Sequence, residues 1–148
     1  MRVLVDTNVI LDFLLKREKF FHYSSEIFQL LFLKRIQGFI SASSCTDLFY
    51  IISKTKNKNI AKELLYNLME VLEVLEVNKK IILRALESNF SDFEDSVQAY
   101  CALYHNIDYI ITRNTKDYSA SPVPAVSPQE FLDNFSDDFM VNFSGQHI

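Results

Sequence analysis

The opening residues place the strongest constraint on the fold of this chain. Residues 3–5 form a short apolar run with high β propensity, and the run stops at Asp6, Thr7 and Asn8. Apolar side chains then recur at helical spacing over residues 9–14, and either Thr7 or Asn8 is expected to cap that helix. The pattern predicts a strand, a carboxylate and a helix in that order. In open α/β sheets ligands bind beyond the carboxyl ends of the strands, which is where Asp6 falls.

The same alternation of strands and helices continues along the chain. Further strands are predicted at residues 39–40, within 71–77, at 107–111 and at 122–126. Strands that alternate with helices imply a mainly parallel sheet of four or five strands, covered on both faces. We therefore expect one α/β domain over residues 1–135. The tail, residues 136–148, is expected to pack as an extra segment, to pair with another chain or to fray.

Composition limits the class of protein. The 148 residues are 49% apolar and 23% charged, which is typical of an ordered domain with a sizeable core. The net charge of −4 argues against a generally basic nucleic-acid-binding surface, although it permits a local basic track beside an acidic site. Cys45 and Cys101 lie in apolar helical patterns and are expected to be free thiols, as in a cytoplasmic protein. We find neither a signal-peptide pattern nor an apolar run of transmembrane length, and so expect no membrane partner.

Carboxylates recur where predicted strands meet helices. Besides Asp6, the polar groups at such junctions are Asp47, Asp95 and the pair Asn114 and Asp117. In a parallel sheet these junctions lie at one edge, so the side chains are expected to converge there. Each acid alone also has a structural explanation. Asp47, for example, suits the first turn of a helix, where a negative charge complements the helix dipole.

Residues 91–95 carry a further acidic group. Ser91 and Glu94 fit a capping box, which accounts for Glu94 as a structural residue at the start of a helix. Asp92 and Asp95 are three positions apart and can face the same side of that helix. The capping box explains these two acids only in part.

The converging acids make a specific chemical demand. A cluster of carboxylates repels internally and binds protons unless a cation neutralises it. Hard oxygen ligands without His or Cys select Mg²⁺ or Mn²⁺, and such ions activate water and stabilise a phosphate undergoing in-line displacement. Acids at several equivalent junctions therefore indicate a divalent metal site with phosphate chemistry.

With these motifs the sequence resembles the PIN-domain family, which includes the VapC-type ribonuclease toxins. The matching stretches are residues 3–8, 43–48, 92–95, 110–114 with 116–118, and 127–132. The resemblance implies a three-layer α/β/α sandwich with a mainly parallel central sheet. It also implies a metal-dependent endoribonuclease that uses Mg²⁺ or Mn²⁺ to hydrolyse RNA phosphodiester bonds.

The resemblance assigns roles by position. It carries the catalytic, metal-binding acids onto Asp6, Asp47 and Asp95, and it gives Asn8 and Thr112 the role of orienting ligands or waters.

Two departures from the family pattern alter the acid count. The second acid is usually Glu, and Asp47 is one methylene shorter. The acid that often follows Thr-Arg is Asn114 here, which we expect to orient ligands or waters. Asp117 or Asp92 is then expected to supply the missing charge as a further metal ligand.

Substrate and partners are also expected from these residues. Arg113 and Lys116 flank the last junction and are expected to contact RNA phosphates. Broad apolar helical surfaces, such as residues 20–35 and 60–69, predict a homodimer. The resemblance to VapC-type toxins implies an antitoxin protein that covers the site, with an apolar groove beside Phe13, Phe20 and Phe49. The alternative is a catalytically weak or inactive PIN module that binds RNA or protein.

Overall fold

The central element of the computed structural model is a parallel sheet, and the structure describes residues 1–135. Within these residues the sheet has five strands in the order β3-β2-β1-β4-β5. The strands are β1 (Arg2–Val5), β2 (Gln37–Ser41), β3 (Leu72–Leu75), β4 (Tyr109–Ile111) and β5 (Ala125–Val126). All four pairings are parallel, and Leu4 at the centre pairs with Phe39 on one side and Ile110 on the other. The predicted parallel sheet is confirmed, while the predicted tail lies outside the described residues.

Helices connect the strands and cover the sheet. They are α1 (Thr7–Leu14), α2 (Phe21–Phe32), α3 (Ala42–Thr55), α4 (Lys58–Leu68), α5 (Lys79–Glu87), α6 (Phe93–Tyr104) and α7 (residues 128–135). A short 3₁₀ helix, Thr115–Tyr118, lies between β4 and β5. No helix within residues 1–135 is long and apolar enough to cross a membrane.

The alternating side chains of β1 divide the core into two layers. Val3 and Val5 pack in a cluster with residues from α1, α2, α3, α4 and α7. Leu4, between them, packs in a second cluster with residues from α5 and α6. Because a strand points successive side chains to opposite faces, this division means that helices cover the sheet on both sides. The predicted α/β/α sandwich is confirmed. Cys45 and Cys101 are free thiols, as expected.

Three local predictions about helix starts are wrong. Asp6 itself caps α1 and accepts a hydrogen bond from the backbone N–H of Thr7. α3 begins immediately after β2, so Asp47 lies in its second turn and not in its first. Asp92, not Ser91, caps α6, because its carboxylate accepts from the N–H of Asp95 at 3.0 Å.

A capping box precedes α7. The N–H of Glu130 donates to Ser127 Oγ at 3.1 Å, and the Glu130 carboxylate accepts from the N–H of Ser127 at 3.4 Å. The serine therefore caps this helix in the reciprocal way that the sequence indicates.

The topology explains how acids from distant parts of the chain meet. The parallel strands all end at one edge of the sheet, where Asp6 follows β1 and Thr112 follows β4. Asp95 was expected at a strand-to-helix junction, but α6 follows α5 directly. It nevertheless comes to the same edge, because α6 runs back from that edge towards the start of β4.

Candidate active site

Asp6 is the most constrained polar side chain of the site. It is buried, with 5% of its surface exposed, at the end of the central strand. Its Oδ1 accepts from the N–H of Thr7 at 2.7 Å, and its Oδ2 accepts from the hydroxyl of Thr112 at 2.7 Å and from the amide of Asn8 at 3.3 Å. A buried carboxylate is tolerated only when hydrogen bonds replace its water, so these donors fix its position.

Two further donors to Asp6 come from residues that the sequence analysis did not single out. Gln98 of α6, which is 4% exposed, donates from Nε2 to Asp6 Oδ1 at 2.8 Å. The Tyr118 hydroxyl lies 3.3 Å from Asp6 Oδ2, 3.2 Å from Asp95 Oδ1 and 3.2 Å from Gln98 Nε2. Burial raises the pKa of Tyr118 above its usual range, with the charges of Asp6 and Asp95 adding to the effect. The hydroxyl is therefore a neutral bridge between the two carboxylates.

The acids surround one cavity of about 240 Å³, which we call the acidic cavity. It is lined by Asp6, Thr7, Ser43, Ser44, Thr46, Asp47, Val77, Ile82, Phe93, Glu94, Asp95, Val97 and Gln98. Asp6, Asp47 and Asp95 are thus brought together as expected. None of the described residues that line the cavity is Lys or Arg, so side-chain cations do not neutralise its carboxylates.

Glu94 also lines the cavity, although the sequence analysis accounts for it as a helix-capping residue. The charge of Asp47 is the largest cause that raises the pKa of Glu94, followed by burial and by the charges of Asp92 and Asp6. The Glu94 carboxyl therefore interacts electrostatically with Asp47 across the cavity, although Glu94 also lies in the first turn of α6. The signal that could have identified Glu94 is the density of acids between Asp92 and Asp95, which exceeds what one cap requires.

Asp95 experiences the strongest electrostatic strain among the described acids of the cavity. Its pKa is raised from 3.8 to about 7, first by burial and then by the charges of Asp92 and Asp6. The hydrogen bond from Tyr118 acts in the opposite direction, and the charge of Asp117 makes a small contribution in the same direction as burial. Near neutral pH this carboxyl exchanges between its charged and neutral forms.

Among the predicted metal-binding and orienting residues, three are exposed and lie outside the cavity lining. Asp92 is exposed and caps α6. Asn114 is exposed, and its N–H donates to the Thr112 hydroxyl at 3.1 Å. Asp117 is exposed on the 3₁₀ helix. These residues surround the site without contributing to its wall.

Arg113 is engaged by a residue that the sequence analysis missed. Its Nε donates to Asp12 Oδ2 at 2.6 Å and its Nη2 to Asp12 Oδ1 at 3.4 Å, while Arg17 Nη1 lies 3.4 Å from the same carboxylate. The guanidinium also stacks on the Phe20 ring, 3.9 Å from its centroid. Asp12 is only 1% exposed, so it requires this pairing. Lys116, in contrast, is exposed.

The donor atoms of the acidic cavity suit a hard divalent cation. They are carboxylate oxygens together with Gln98 Oε1, a buried acceptor that has no hydrogen-bond partner among the described residues. Within residues 1–135, no three His, Cys, Asp or Glu side chains are already arranged as a metal site. These oxygen ligands therefore fit Mg²⁺ or Mn²⁺, and the side chains must move to coordinate the ion.

The raised pKa of Asp95 predicts a pH-dependent effect of Asp95→Asn on the metal-free protein. The folded state binds the Asp95 proton more tightly than the unfolded chain does, so stability is lost as pH rises from about 4 through 7. The asparagine carries no charge. Its advantage in melting temperature should therefore grow over this interval and level off above it.

Thermal unfolding in a chelating buffer at several pH values measures this effect. Asp133→Asn is the matched control, because it removes an exposed carboxylate from α7, away from the cavity. An advantage of Asp95→Asn that is the same at every pH would contradict the assignment.

The chain is similar to known proteins in both sequence and fold. A family model described as a PIN domain matches residues 2–116. Ribonuclease VapC1 of Aquifex aeolicus (strain VF5) is 26% identical over 139 residues, which cover 91% of this chain and 96% of that protein.

Solved structures share the fold at lower sequence identity. VapBC2 from Rickettsia felis, bound to a DNA fragment from its promoter, has a TM-score of 0.67 at 20% identity and covers 86% of this chain and 98% of that chain. A toxin–antitoxin complex from Klebsiella pneumoniae has a TM-score of 0.62 at 21% identity, covering 85% and 97%. Because the PIN model matches most of its length, the chain belongs to the PIN-domain family.

Proposed function

We propose that the protein is a metal-dependent endoribonuclease that hydrolyses RNA phosphodiester bonds as the toxin of a toxin–antitoxin pair. The observation that carries the proposal is the convergence of Asp6, Asp47, Glu94 and Asp95 on one cavity at the carboxyl edge of the sheet. The similarity to Ribonuclease VapC1 over nearly the whole chain supports the same reading.

The carboxylates are the proposed ligands of one or two divalent ions. Asp6, Asp47 and Asp95 hold Mg²⁺ or Mn²⁺ directly or through water, and Glu94 adds a fourth carboxylate to the same cavity. Asp92 and Asp117 lie near enough to influence Asp95 electrostatically and are proposed as further acidic groups around the metal. When bound, such an ion supplies an activated water and stabilises negative charge on the attacked phosphate.

Polar neighbours orient the carboxylates for this task. Thr112 and Asn8 hold one oxygen of Asp6, and the N–H of Asn114 donates to the Thr112 hydroxyl at 3.1 Å, which directs that hydroxyl towards Asp6. Such supporting hydrogen bonds generally tune ligand orientation and metal affinity. Tyr118 supports Asp95 in the same way, with its hydroxyl 3.2 Å from Asp95 Oδ1.

Cleavage of a covalently closed circular RNA tests the proposed activity, because an endonuclease opens a circle and an exonuclease does not. The wild type should cleave with Mg²⁺ or Mn²⁺ and stop when a chelator is added. Asp6→Asn and Asp95→Asn should each lower the rate by about 100-fold or more, since each removes a metal-binding charge. Asp133→Asn should retain full activity.

Two results would overturn this proposal. Cleavage that resists a chelator would show that no metal ion is required. Full activity of both Asn variants would show that the two carboxylates are not required. RNA binding without cleavage by the wild type would establish the alternative, a PIN module that only binds.

Basic groups near the last junction are proposed to hold RNA. Lys116 is exposed and free to contact a phosphate. Arg113 is paired with Asp12, so any contact that it makes with RNA must leave this pair intact. Lys116→Ala should therefore weaken RNA binding and reduce the slope of affinity against salt by about one. Lys80→Ala, at an exposed position in α5, is the control. An unchanged salt slope in Lys116→Ala would exclude Lys116 as a phosphate contact.

An antitoxin is the proposed protein partner, and a homodimer the proposed assembly. A second cavity, of about 310 Å³, is lined by Asp12, Lys19, Phe20, Tyr23, Arg113, Ser127, Pro128 and Gln129. It adjoins the site through Arg113, whose N–H donates to Asn8 Oδ1 at 3.2 Å. We propose that an antitoxin segment lies here and extends a basic side chain into the acidic cavity. Phe13 stacks on Phe28 at 4.2 Å and is less available to a partner than the sequence suggests.

Growth of cells tests the partnership. Cytoplasmic expression of the wild type should arrest cell growth, whereas expression of Asp95→Asn should not. Co-expression of a small neighbouring reading frame should relieve the arrest. Harmless expression of an enzyme that is active in vitro would contradict the toxin assignment.

Light scattering tests the proposed homodimer. A monomer mass at micromolar protein concentration would contradict it.

A further inference from the structure

Phe93 is an exposed aromatic ring in the wall of an otherwise acidic site. It is the first residue of α6, is 48% exposed, and lies between Asp92 and Glu94 in sequence. Leaving a phenylalanine in water forgoes about 1.5–3 kcal/mol of burial. The buried face of α6 is already supplied by other residues, including Val97, Ala99 and Cys101. Core packing therefore does not account for the position of this ring.

The backbone beneath the ring is held firmly. Asp92 caps the helix, and the Ser96 hydroxyl donates to the carbonyl of Phe93 at 2.6 Å. These bonds fix the first turn of α6, and with it the point from which the ring projects. Because the backbone is fixed, only the two side-chain torsions of Phe93 lose freedom when a ligand stacks on the ring, so the entropic cost of binding is small.

The acidic cavity combines two kinds of wall. Val77, Ile82, Phe93 and Val97 supply apolar surface, and the carboxylates and the hydroxyls of Ser43, Ser44 and Thr46 supply acceptors. A nucleotide has the matching halves, because its phosphate requires a cation among carboxylates while its base presents a flat apolar face.

Electrostatics decides which half of a nucleotide meets Phe93. Asp92 and Glu94 flank it in sequence, and the described lining of the cavity includes Asp6, Asp47, Glu94 and Asp95 but no Lys or Arg, so the potential around the ring is negative. A second phosphate placed there would be repelled. A base is neutral, and its amino groups are donors to the acceptors of the cavity.

We infer that Phe93 is the stacking platform for the unpaired base beside the scissile phosphate. The inference rests on the proposed nuclease function and adds a base-binding residue to its site. A base in a duplex is stacked between its neighbours and cannot lie on the ring, whereas bases in loops and single strands are commonly bound on aromatic side chains.

The test compares one cleavage sequence in three forms: single-stranded, bulged at the cleavage point and fully paired. Wild type should cleave the first two and spare the third. Phe93→Ala should lower kcat/KM on the single strand by about tenfold or more, while Phe93→Tyr and Phe93→Trp should retain it because they keep a ring. Leu86→Ala is the matched control, since it removes an exposed apolar side chain from α5 outside the cavity.

A direct binding measurement separates stacking from any loss of fold. The single strand carries 2-aminopurine beside the cleavage point, and its fluorescence is followed by rapid mixing before cleavage. Wild type, Phe93→Tyr and Leu86→Ala should quench it. Phe93→Ala should not quench it, although its melting temperature should stay within a few degrees of wild type.

The outcomes distinguish this inference from the nuclease proposal. If wild type cleaves and Phe93→Ala matches it in kcat/KM and in quenching, the platform is refuted while the nuclease stands. If no RNA is cleaved but quenching depends on Phe93, the platform stands and the nuclease falls. If Phe93→Ala changes only the dimer mass or the affinity for an antitoxin, the ring belongs to a protein interface and the inference is wrong.

Discussion

The burial of one carboxylate organises this molecule. Asp6 is nearly inaccessible, and an ionised group in such a position is tolerated only if donors replace its lost water. Those donors come from separate parts of the chain: Asn8 in α1, Gln98 in α6, Thr112 after β4 and Tyr118 in the 3₁₀ helix. The need to satisfy Asp6 therefore fixes the mutual positions of these elements at one edge of the sheet.

The remaining acids show the opposite condition. The pKa of Asp95 is raised first by burial and then by the charges of Asp92 and Asp6, and the pKa of Glu94 is raised first by the charge of Asp47. No described side chain in the cavity wall is basic. This arrangement destabilises the folded protein when the groups are ionised, and a bound cation would relieve it. Residues held at such a cost are typical of functional sites, where stability is given up for chemistry.

The fold was predictable from local patterns. The apolar run of residues 3–5 and its stop at Asp6 identify the central strand, and the same alternation identifies the other strands. The parallel topology then implies where the junction residues meet. Asp6, Asp47 and Asp95 were placed in one site on this basis, although α6 follows another helix and not a strand.

The rest of the site depends on contacts that no local pattern encodes. Gln98 is 92 residues from Asp6, and Tyr118 is 112 residues from it. Gln98 did have a sequence signal, since it is the one amide in the largely apolar residues 97–103, one turn after Asp95. Asp12 and Arg113 pair across 101 residues. The sequence signal for this pair was a single acid, Asp12, within the apolar pattern of α1.

Glu94 was missed for a different reason. A capping box at Ser91 and Glu94 is a sound local reading, but Asp92 is an equally good cap one residue later. Tertiary structure selected the later start. With the helix beginning at Phe93, Glu94 is the second helical residue and not the third, so it does not complete a capping box, and it lines the cavity together with Asp47. One residue of helix register thus decides whether this carboxylate belongs to a cap or to the cavity.

The engagement of Arg113 determines how RNA can be held. Its guanidinium pairs with Asp12 and stacks on Phe20, so it adds little free positive charge to a protein of net charge −4. Counterion release beside the last junction therefore depends on Lys116 more than on Arg113. In the proposed nuclease, a divalent ion held by the carboxylates would add affinity for a phosphate, and stacking on Phe93 would add affinity for a base. Both contributions act at the cleavage point itself, and stacking is insensitive to salt. The proposed site would therefore select RNA by whether a base is unpaired there, more than by the overall charge of the RNA.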